Sequence, residues 1–502
     1  MLRCNAKKIM NMPNKLNILR RMELEPYANV RWDLNEIKKL SPVFRILYVT
    51  ASFFNQPQID LSFDFEDSPH ADARYFSLLI GRNGMGKSLF LRAILDFIID
   101  ARLAKPSRNN NSVSISSVEY ELANHRYRIE RDGRKISFRR DGKDVRLSGM
   151  QFPFIIASTM GMFDKFPVNR VPGNSRNARY DENYYKYVGP KAGNNMFISK
   201  TNVLLQILTA MGRLKNSTQL KKMVGIMNYI GYDANIVFSF KLKDNAQEIY
   251  ERKESIMDIN AISYYKSLAS NEVYTIHIRL DSYSLSKAKN QNLEELNRLR
   301  QEGFLASFHC SLFKRGIGEE VDCNNLSSGE FNMLCIVLSV ILSAGQRYLL
   351  ILLDEPEISQ HPNWQVSIIE KLDEALSDYG CHFLIATHCH YLVSNLPLKR
   401  SNLMMIEEKD GREIQIEPMP SETYGWSSEE VLLKVFGMAT DRSRYLADIV
   451  GKLMTKIGNN DITPDDVKKE VNFLRQVSEG LSEVDPMKRI IDTIINEFSK
   501  DE

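Results

Sequence analysis

The chain has 502 residues, with 66 Lys and Arg against 63 Asp and Glu, and it is 43% apolar and 26% charged. A formal net charge of +3 on that length excludes a histone-like nucleic-acid coat and an acidic tail protein. The apolar share excludes disorder over most of the chain, and the length leaves room for about three domains.

The longest apolar stretch, Met333–Gly345, spans 13 residues. A bilayer span needs about 20, so no transmembrane helix and no membrane role are expected. The N-terminus lacks the apolar segment of a secretory signal. Six cysteines, none in a CxxC pair, speak against a zinc site and fit a reducing cytoplasm. Charge is uneven at the start. Residues 1–22 carry Arg3, Lys7, Lys8, Lys15, Arg20 and Arg21 and no acidic residue, so the rest of the chain sums to −3. This basic leader, part of an extension over 1–43, reads either as a solvated arm or as a contact for nucleic acid or a partner.

Residues 44–66 alternate apolar and polar side chains, a β pattern with a turn near Asn55–Pro57. A short apolar strand follows at Tyr75–Ile80, then a glycine-rich turn, then a helix over Ser88–Ala101. After the polar Asn109–Asn111, residues 112–148 read as short strands, with Asp132-Gly133 and Asp141-Gly142 as hairpin turns. A buried strand is predicted over 152–158. Residues 161–200 are loop-rich. Between Lys165 and Lys191 they hold six basic residues, two acidic ones and the tyrosines Tyr180, Tyr184, Tyr185 and Tyr187. Basic residues can track phosphates while tyrosines stack on bases; the same composition also suits a partner interface or a loop packed on the body.

Residues 201–305 read as mainly helical, with strands near 234–241 and 272–281. Strands return at 306–323. Helix and strand then alternate: helix 328–344, strand 348–353, helix 363–379, strand 381–386, helix 390–396, strand 402–408. That alternation predicts a layered α/β fold with parallel strands. Residues 427–500 read as amphipathic helix.

The glycine-rich turn is Gly81, Arg82, Asn83, Gly84, Met85, Gly86, Lys87, Ser88, followed by Leu89. It has the phosphate-loop pattern GxxxxGK followed by Ser, set between a strand and a helix. Glycines let backbone N–H groups converge on phosphate oxygens, and the helix N-terminus faces the same anion. Lys87 would reach the outer phosphates and the Ser88 hydroxyl would bind magnesium. The apolar run Tyr348–Leu353 predicts a strand buried on both faces, ending in Asp354 and Glu355. Asp354 would join the magnesium shell and Glu355 could take a proton from an attacking water. A third buried strand, Phe383–Thr387, ends at His388, which right-handed crossovers place within reach of the γ-phosphate; His390 is the weaker choice. Leu326, Ser327, Ser328, Gly329 and Glu330 open an apolar helix, where Ser and Gly serve as helix cap or as anion ligands.

Together these four elements resemble the head of the soluble ABC-type ATPases related to RecF, Rad50 and SMC proteins. The resemblance covers roughly 44–200 and 306–440. Leu326–Glu330 is similar to their signature motif, with Ser328 and Glu330 in place of the commoner glycine and glutamine. Asp354–Pro356 resembles their acidic strand end, and Glu357–Pro362 the segment of the OLD-like branch. His361 stands where transporters often carry aspartate. Phe163–Pro167, Tyr187–Pro190 and Thr423–Glu430 resemble segments of the PtuA-type ATPases of Septu and retron anti-phage systems, which accompany an HNH nuclease; PARIS-type systems use a similar subunit.

The resemblance implies an α/β phosphate-loop head with an antiparallel β lobe, in two parts (44–200 and 306–420), a mainly helical insertion (201–305) and C-terminal helices (421–502). It implies ATP and magnesium as ligands. It implies a head-to-head dimer in which Ser327, Ser328, Gly329 and Glu330 complete the partner's nucleotide site. A long coiled coil is not expected, since Leu293, Leu296 and Leu299 make too short a heptad run. No Toprim or HNH pattern is present, so nuclease activity would belong to a partner. A RecF-like repair ATPase and an ATP-gated scaffold with little turnover remain as alternatives.

Overall fold

The computed structural model describes residues 43–436 apart from short internal stretches, and beyond them residues 451, 455, 471–475, 477–478 and 486–498. The basic leader 1–22 and Cys4 lie outside the described residues. In chain order the first elements are β1 (Phe44–Phe53), β2 (Gln58–Ser62), β3 (Arg74–Gly81), α1 (Lys87–Leu103), β4 (Val113–Leu122), β5 (His125–Asp132), β6 (Lys135–Arg140), β7 (Lys143–Asp144), β8 (Phe154–Thr159), β9 (Tyr185–Val188), β10 (Lys191–Gly193) and β11 (Met196–Phe197). Then come α2 (Lys200–Leu208), α3 (Ser217–Tyr229), β12 (Tyr232–Leu242), α4 (Ala246–Lys253), α5 (Ile259–Lys266), β13 (Val273–Arg279), α6 (Lys287–Gln301), β14 (Leu305–Lys314) and β15 (Glu320–Asp322). The last are α7 (Ser328–Ser343), β16 (Tyr348–Asp354), α8 (Pro362–Ala375), β17 (Gly380–Ala386), α9 (His390–Ser394), β18 (Ser401–Lys409), β19 (Glu413–Met419), α10 (Ser428–Lys434) and α11 (Pro486–Phe498).

The central sheet has seven strands in the order β19-β18-β3-β17-β16-β8-β9. All its pairings are parallel except that of β18 with edge strand β19. Every residue of β17, and every residue of β16 after Tyr348, is buried, as a sheet covered on both faces requires. Register levels the strand ends: Asp354 pairs with both Ala386 and Thr159, and Ala386 pairs with Leu79. The loops after β3, β8, β16 and β17 therefore leave from one sheet edge, where open α/β folds bind ligands.

A six-stranded antiparallel lobe, β2-β1-β4-β5-β6-β7, lies against α1. One apolar core joins them, running from Phe44, Phe53 and Tyr120 in the lobe through Phe90 and Ile94 of α1 to Leu352 and Leu384 of the central sheet. Phe53 stacks on Phe90 at 5.7 Å between ring centroids. The apolar stretch at Met333 is a buried core helix: residues 331–342 of α7 are all buried. Among the described residues no helix is long and apolar enough to cross a membrane.

The expected edge of the insertion at 305/306 falls inside one sheet. β14 pairs with β12 over Leu242 to Tyr232, and β13-β12-β14-β15 form a four-stranded antiparallel sheet. Residues 201–305 are mainly helical, with β12 and β13 near the two expected strands, and their sheet is completed by β14 and β15, which run on to Asp322. Leu293, Leu296 and Leu299 are buried side chains of α6. The chain divides into two compact units at Trp426/Ser427, and the second contains α10 and α11. The described cysteines, Cys310, Cys323, Cys335, Cys381 and Cys389, are buried free thiols.

His382 latches the lobe to the central sheet. The Ile46 backbone N–H of β1 donates to Nδ1 at 2.9 Å, so the ring proton sits on Nε2, which lies 2.7 Å from Ser77 Oγ of β3. Burial, helped by the Arg45 charge, lowers the ring to about 3. At pH above 6.5 the ring is neutral in folded and unfolded chains alike. Below that, the unfolded chain takes up a proton that the folded chain refuses, and stability falls by about 1.4 kcal/mol per pH unit until the folded value is reached. Between pH 6.5 and about 5, His382→Gln should lose about 2 kcal/mol less stability than the wild type in urea unfolding. Parallel pH slopes would contradict the latch.

Candidate active site

The turn after β3 takes its shape from its glycines. Gly86 caps α1 with φ of 93°, in the left-handed region, and a Cβ there would meet the Phe53 ring at 3.3 Å. Arg82, Asn83 and Gly84 are exposed at the tip, while Met85 and Leu89 pack partly onto the core below. Lys87 is only 6% exposed. Its Nζ donates to the carbonyls of Gly81 at 2.8 Å and Arg82 at 3.1 Å. Burial lowers the amine to about 8, against the opposing charges of Glu355, Asp354 and Glu357. A cation is thus held under the loop, ringed by carboxylates.

Those carboxylates come from the end of β16. Ser88 Oγ donates to Asp354 Oδ1 at 2.8 Å, tying the start of α1 to the acidic strand. Burial pushes Asp354 up to about 7; the Ser88 hydrogen bond opposes this, and Glu355 and Asp164 add to it. Glu355 turns the chain with φ of 49°, an uncommon conformation for a residue with a side chain, and its N–H still bonds the Ala386 carbonyl at 2.8 Å. His388 Nε2 stands 3.5 Å from Glu355 Oε1. That spacing would make an ion pair with a charged ring, but burial and then the Lys87 charge lower His388 to about 4, so the contact is between a neutral imidazole and a carboxylate. Lys87, Ser88, Asp354, Glu355 and His388 are therefore brought together, although they are spread over 300 residues of chain. His390 instead starts α9 with its ring against Tyr391.

The residues present fit magnesium. Ser88 and Asp354 offer adjacent hard oxygens, and a cation beside the buried Asp354 would favour its charged form. Among the described residues no group of three or more His, Cys, Asp or Glu side chains is set to hold a metal by itself. A cation here would share its shell with phosphates and water.

Two further residues at this edge lie in segments noted for their resemblance, but the sequence assigns neither a role. Glu357 sits in the turn after Pro356, and its Oε1 accepts from Thr387 Oγ1 and from the His388 N–H. Burial raises this carboxyl. Asp164, in the loop after β8, is buried and accepts from the Tyr187 hydroxyl and the Phe166 N–H. A carboxylate in a turn looks solvated until its partner, distant in sequence, is known.

The signature segment forms its own cap. Ser327 N–H donates to Glu330 Oε2 at 2.7 Å, and Glu330 N–H donates to Ser327 Oγ at 3.2 Å, a reciprocal capping box at the start of α7. Ser327 and Ser328 are exposed. Gly329 is needed for packing: a Cβ there would lie 2.5 Å from the Ser359 carbonyl oxygen. His361 caps α8 through Nδ1, which accepts from the Asn363 N–H at 3.3 Å.

The tyrosine-rich segment corrects the base-stacking expectation for 165–191. Tyr180, Tyr185 and Tyr187 are buried and Tyr184 is half-buried. Their hydroxyls donate to Asp96, Pro167, Asp164 and Arg179 respectively. Arg179 pairs with Asp100, and Lys191 with Asp164. Among the described residues, Asp96 and Asp100 of α1 and Asp164 of the loop after β8 hold Arg179, Lys191 and the Tyr180 and Tyr187 hydroxyls, so the four tyrosines pack against the body rather than standing free for stacking; Arg170 and Arg176 lie outside the described residues.

The parallel sheet with its phosphate loop, the antiparallel lobe and the helix opened by Ser327 make the layered α/β phosphate-loop architecture expected from the sequence. Residues 200–393 match a family model described as an AAA ATPase domain. The match begins after the phosphate loop and takes in Ser327–Glu330, Asp354, Glu355 and His388. No curated protein matches. Among solved structures the chain is similar to the SMC head domain from Thermotoga maritima, at 11% identity over 75% of this chain and 99% of that one, with a TM-score of 0.35. It is also similar to an SMC head domain with an extended coiled coil bound to the C-terminal domain of ScpA, derived from Pyrococcus furiosus, at 11% identity over 76% and 97%, TM-score 0.33.

Lys87→Ala should weaken ATP binding about 10- to 100-fold, the worth of a lost charge-assisted contact. A titration giving an unchanged Kd would remove Lys87 from the site.

Proposed function

We propose that this chain is a magnesium-dependent ATPase subunit that closes head-to-head on ATP and regulates a partner nuclease in an anti-phage complex. The observation that carries the ATPase reading is the junction of Ser88 with Asp354 at 2.8 Å, beside a buried Lys87. It joins a phosphate cradle to an acidic strand end with no side chain between them.

In this reading the N–H groups of Gly84 to Leu89 and the N-terminus of α1 bind the phosphates. Lys87 exchanges its loop carbonyls for phosphate oxygens. Ser88 and Asp354 would hold magnesium, which when bound would neutralise charge on the phosphates. Glu355 takes the proton of the attacking water, its carboxyl lying 3.5 Å from His388. Neutral His388 can donate one hydrogen bond to the γ-phosphate while leaving the Glu355 carboxyl its role.

The exposed Ser327 and Ser328, in front of a helix N-terminus, suit the completion of a second head's site. ATP binding drives closure only insofar as it binds the closed pair better than the open one. The defence role is supported by the sequence resemblance of Phe163–Pro167, Tyr187–Pro190 and Thr423–Glu430. The nuclease is assigned to a separate chain.

Glu355→Gln should keep ATP affinity and lower phosphate release about 10²- to 10⁴-fold. Light scattering of that variant with ATP and magnesium should show a dimer that Ser327→Arg abolishes. Normal turnover would reject Glu355 as base. A monomer in saturating ATP would reject the head-to-head pair. The regulatory role predicts co-purification with a nuclease encoded beside it, and a nuclease whose activity ignores this chain would contradict it.

A further inference from the structure

Glu357 is the carboxylate that these roles leave unused. Its Oε1 accepts from the Thr387 hydroxyl at 2.5 Å and from the His388 N–H at 3.0 Å. Thr387 Oγ1 in turn accepts from the Cys389 N–H at 2.9 Å. The second oxygen, Oε2, is buried and has no hydrogen-bond partner among the described residues. A buried polar atom left without one costs about 1–3 kcal/mol. Stability alone would favour a smaller or apolar side chain here, so the carboxyl is retained for what Oε1 holds.

What it holds is the chain segment that carries His388. β17 ends at Ala386, and the Thr387 N–H makes its last sheet bond, to the Leu79 carbonyl at 3.0 Å. Beyond it, the His388 N–H donates to Glu357 and the Cys389 N–H to Thr387 Oγ1, their acceptors among the described residues. The imidazole placed by this segment is the one 3.5 Å from Glu355.

We propose that Glu357 is the positioning residue for His388, gripping the Thr387 side chain and the His388 backbone with one oxygen so that the imidazole stays beside Glu355. The proposal deepens the ATPase reading and rests on it for its effect on turnover. Gln keeps the carbonyl acceptor at the same reach, whereas Ala removes it.

The test uses the full chain with Glu357→Ala, Glu357→Gln and Thr387→Val, read by hydrogen exchange of the peptide covering 387–392 and by steady-state ATP turnover. In Glu357→Ala, exchange should accelerate about tenfold or more as the local bonds open. Its kcat should fall about 10- to 100-fold with KM within about twofold, the pattern of a misplaced catalytic group. Glu357→Gln should restore both. Thr387→Val should move both in the same direction by less, and it carries the test if thermal melting shows that the Ala variant does not fold. Unchanged exchange in the Ala and Val variants would overturn the proposal. So would a Gln variant as impaired as Ala, which would mean that the charge, not the acceptor, matters. A wild type without turnover would refute the ATPase reading, while exchange would still decide whether Glu357 holds the segment.

Discussion

A buried cation among carboxylates is the constraint on which the site depends. Lys87 lies under its own loop, and Asp354, Glu355 and Glu357 supply the opposing charge. An amine in that position is tolerated only with carbonyl and carboxylate partners close by. The carbonyls are local, but the carboxylates come from the end of β16, 266 residues along the chain in the case of the Ser88–Asp354 bond. The parallel register of β3, β17 and β16 brings them level. A slip of one residue would send Asp354 to the opposite face of the sheet and leave Lys87 and Ser88 without it.

The rest of the head keeps that register fixed. At one end of the sheet, Arg74 at the start of β3 and Arg400 just before β18 share Asp373 of α8. Burial alone would raise the Asp373 carboxyl, but the hydrogen bonds from Arg400 and Arg74 outweigh it and hold it below its ordinary value. On the lobe side, His382 joins β1 to β3 through a neutral ring. Apolar packing of α1 between lobe and sheet fills the space between these polar ties. A close-packed interior resists small shifts, so the strand ends stay level.

The grouping of Lys87, Ser88, Asp354, Glu355 and His388 was legible because its signals are local. Glycines at fixed spacing, an apolar run ending in two acids and the helix–strand alternation after residue 328 each sit within a few residues. Long-range pairing left no such trace. β14 alternates like any half-buried strand, and nothing in its sequence names β12 as its neighbour, so a sheet that spans the expected 305/306 edge could not be read. The segment 165–191 misled for a related reason. Its basic and aromatic composition suits a nucleic-acid surface, but Asp96, Asp100 and Asp164 meet Arg179, Lys191, Tyr180 and Tyr187 and turn the described part of it inward. Glu357 was hidden because Thr387, which gives it meaning, lies 30 residues away. The Glu355 backbone could not be read at all, since a positive φ outside glycine leaves no mark on composition.

The most direct measurement is a calorimetric titration of the wild-type chain with ATP, with and without magnesium, followed by assay of phosphate release under the same conditions. The arrangement of Lys87, Ser88 and Asp354 predicts saturable binding that tightens with magnesium, and release of phosphate that requires it. Absence of ATP binding in both conditions, or hydrolysis indifferent to magnesium, would contradict the assignment of this edge of the sheet as an ATPase site.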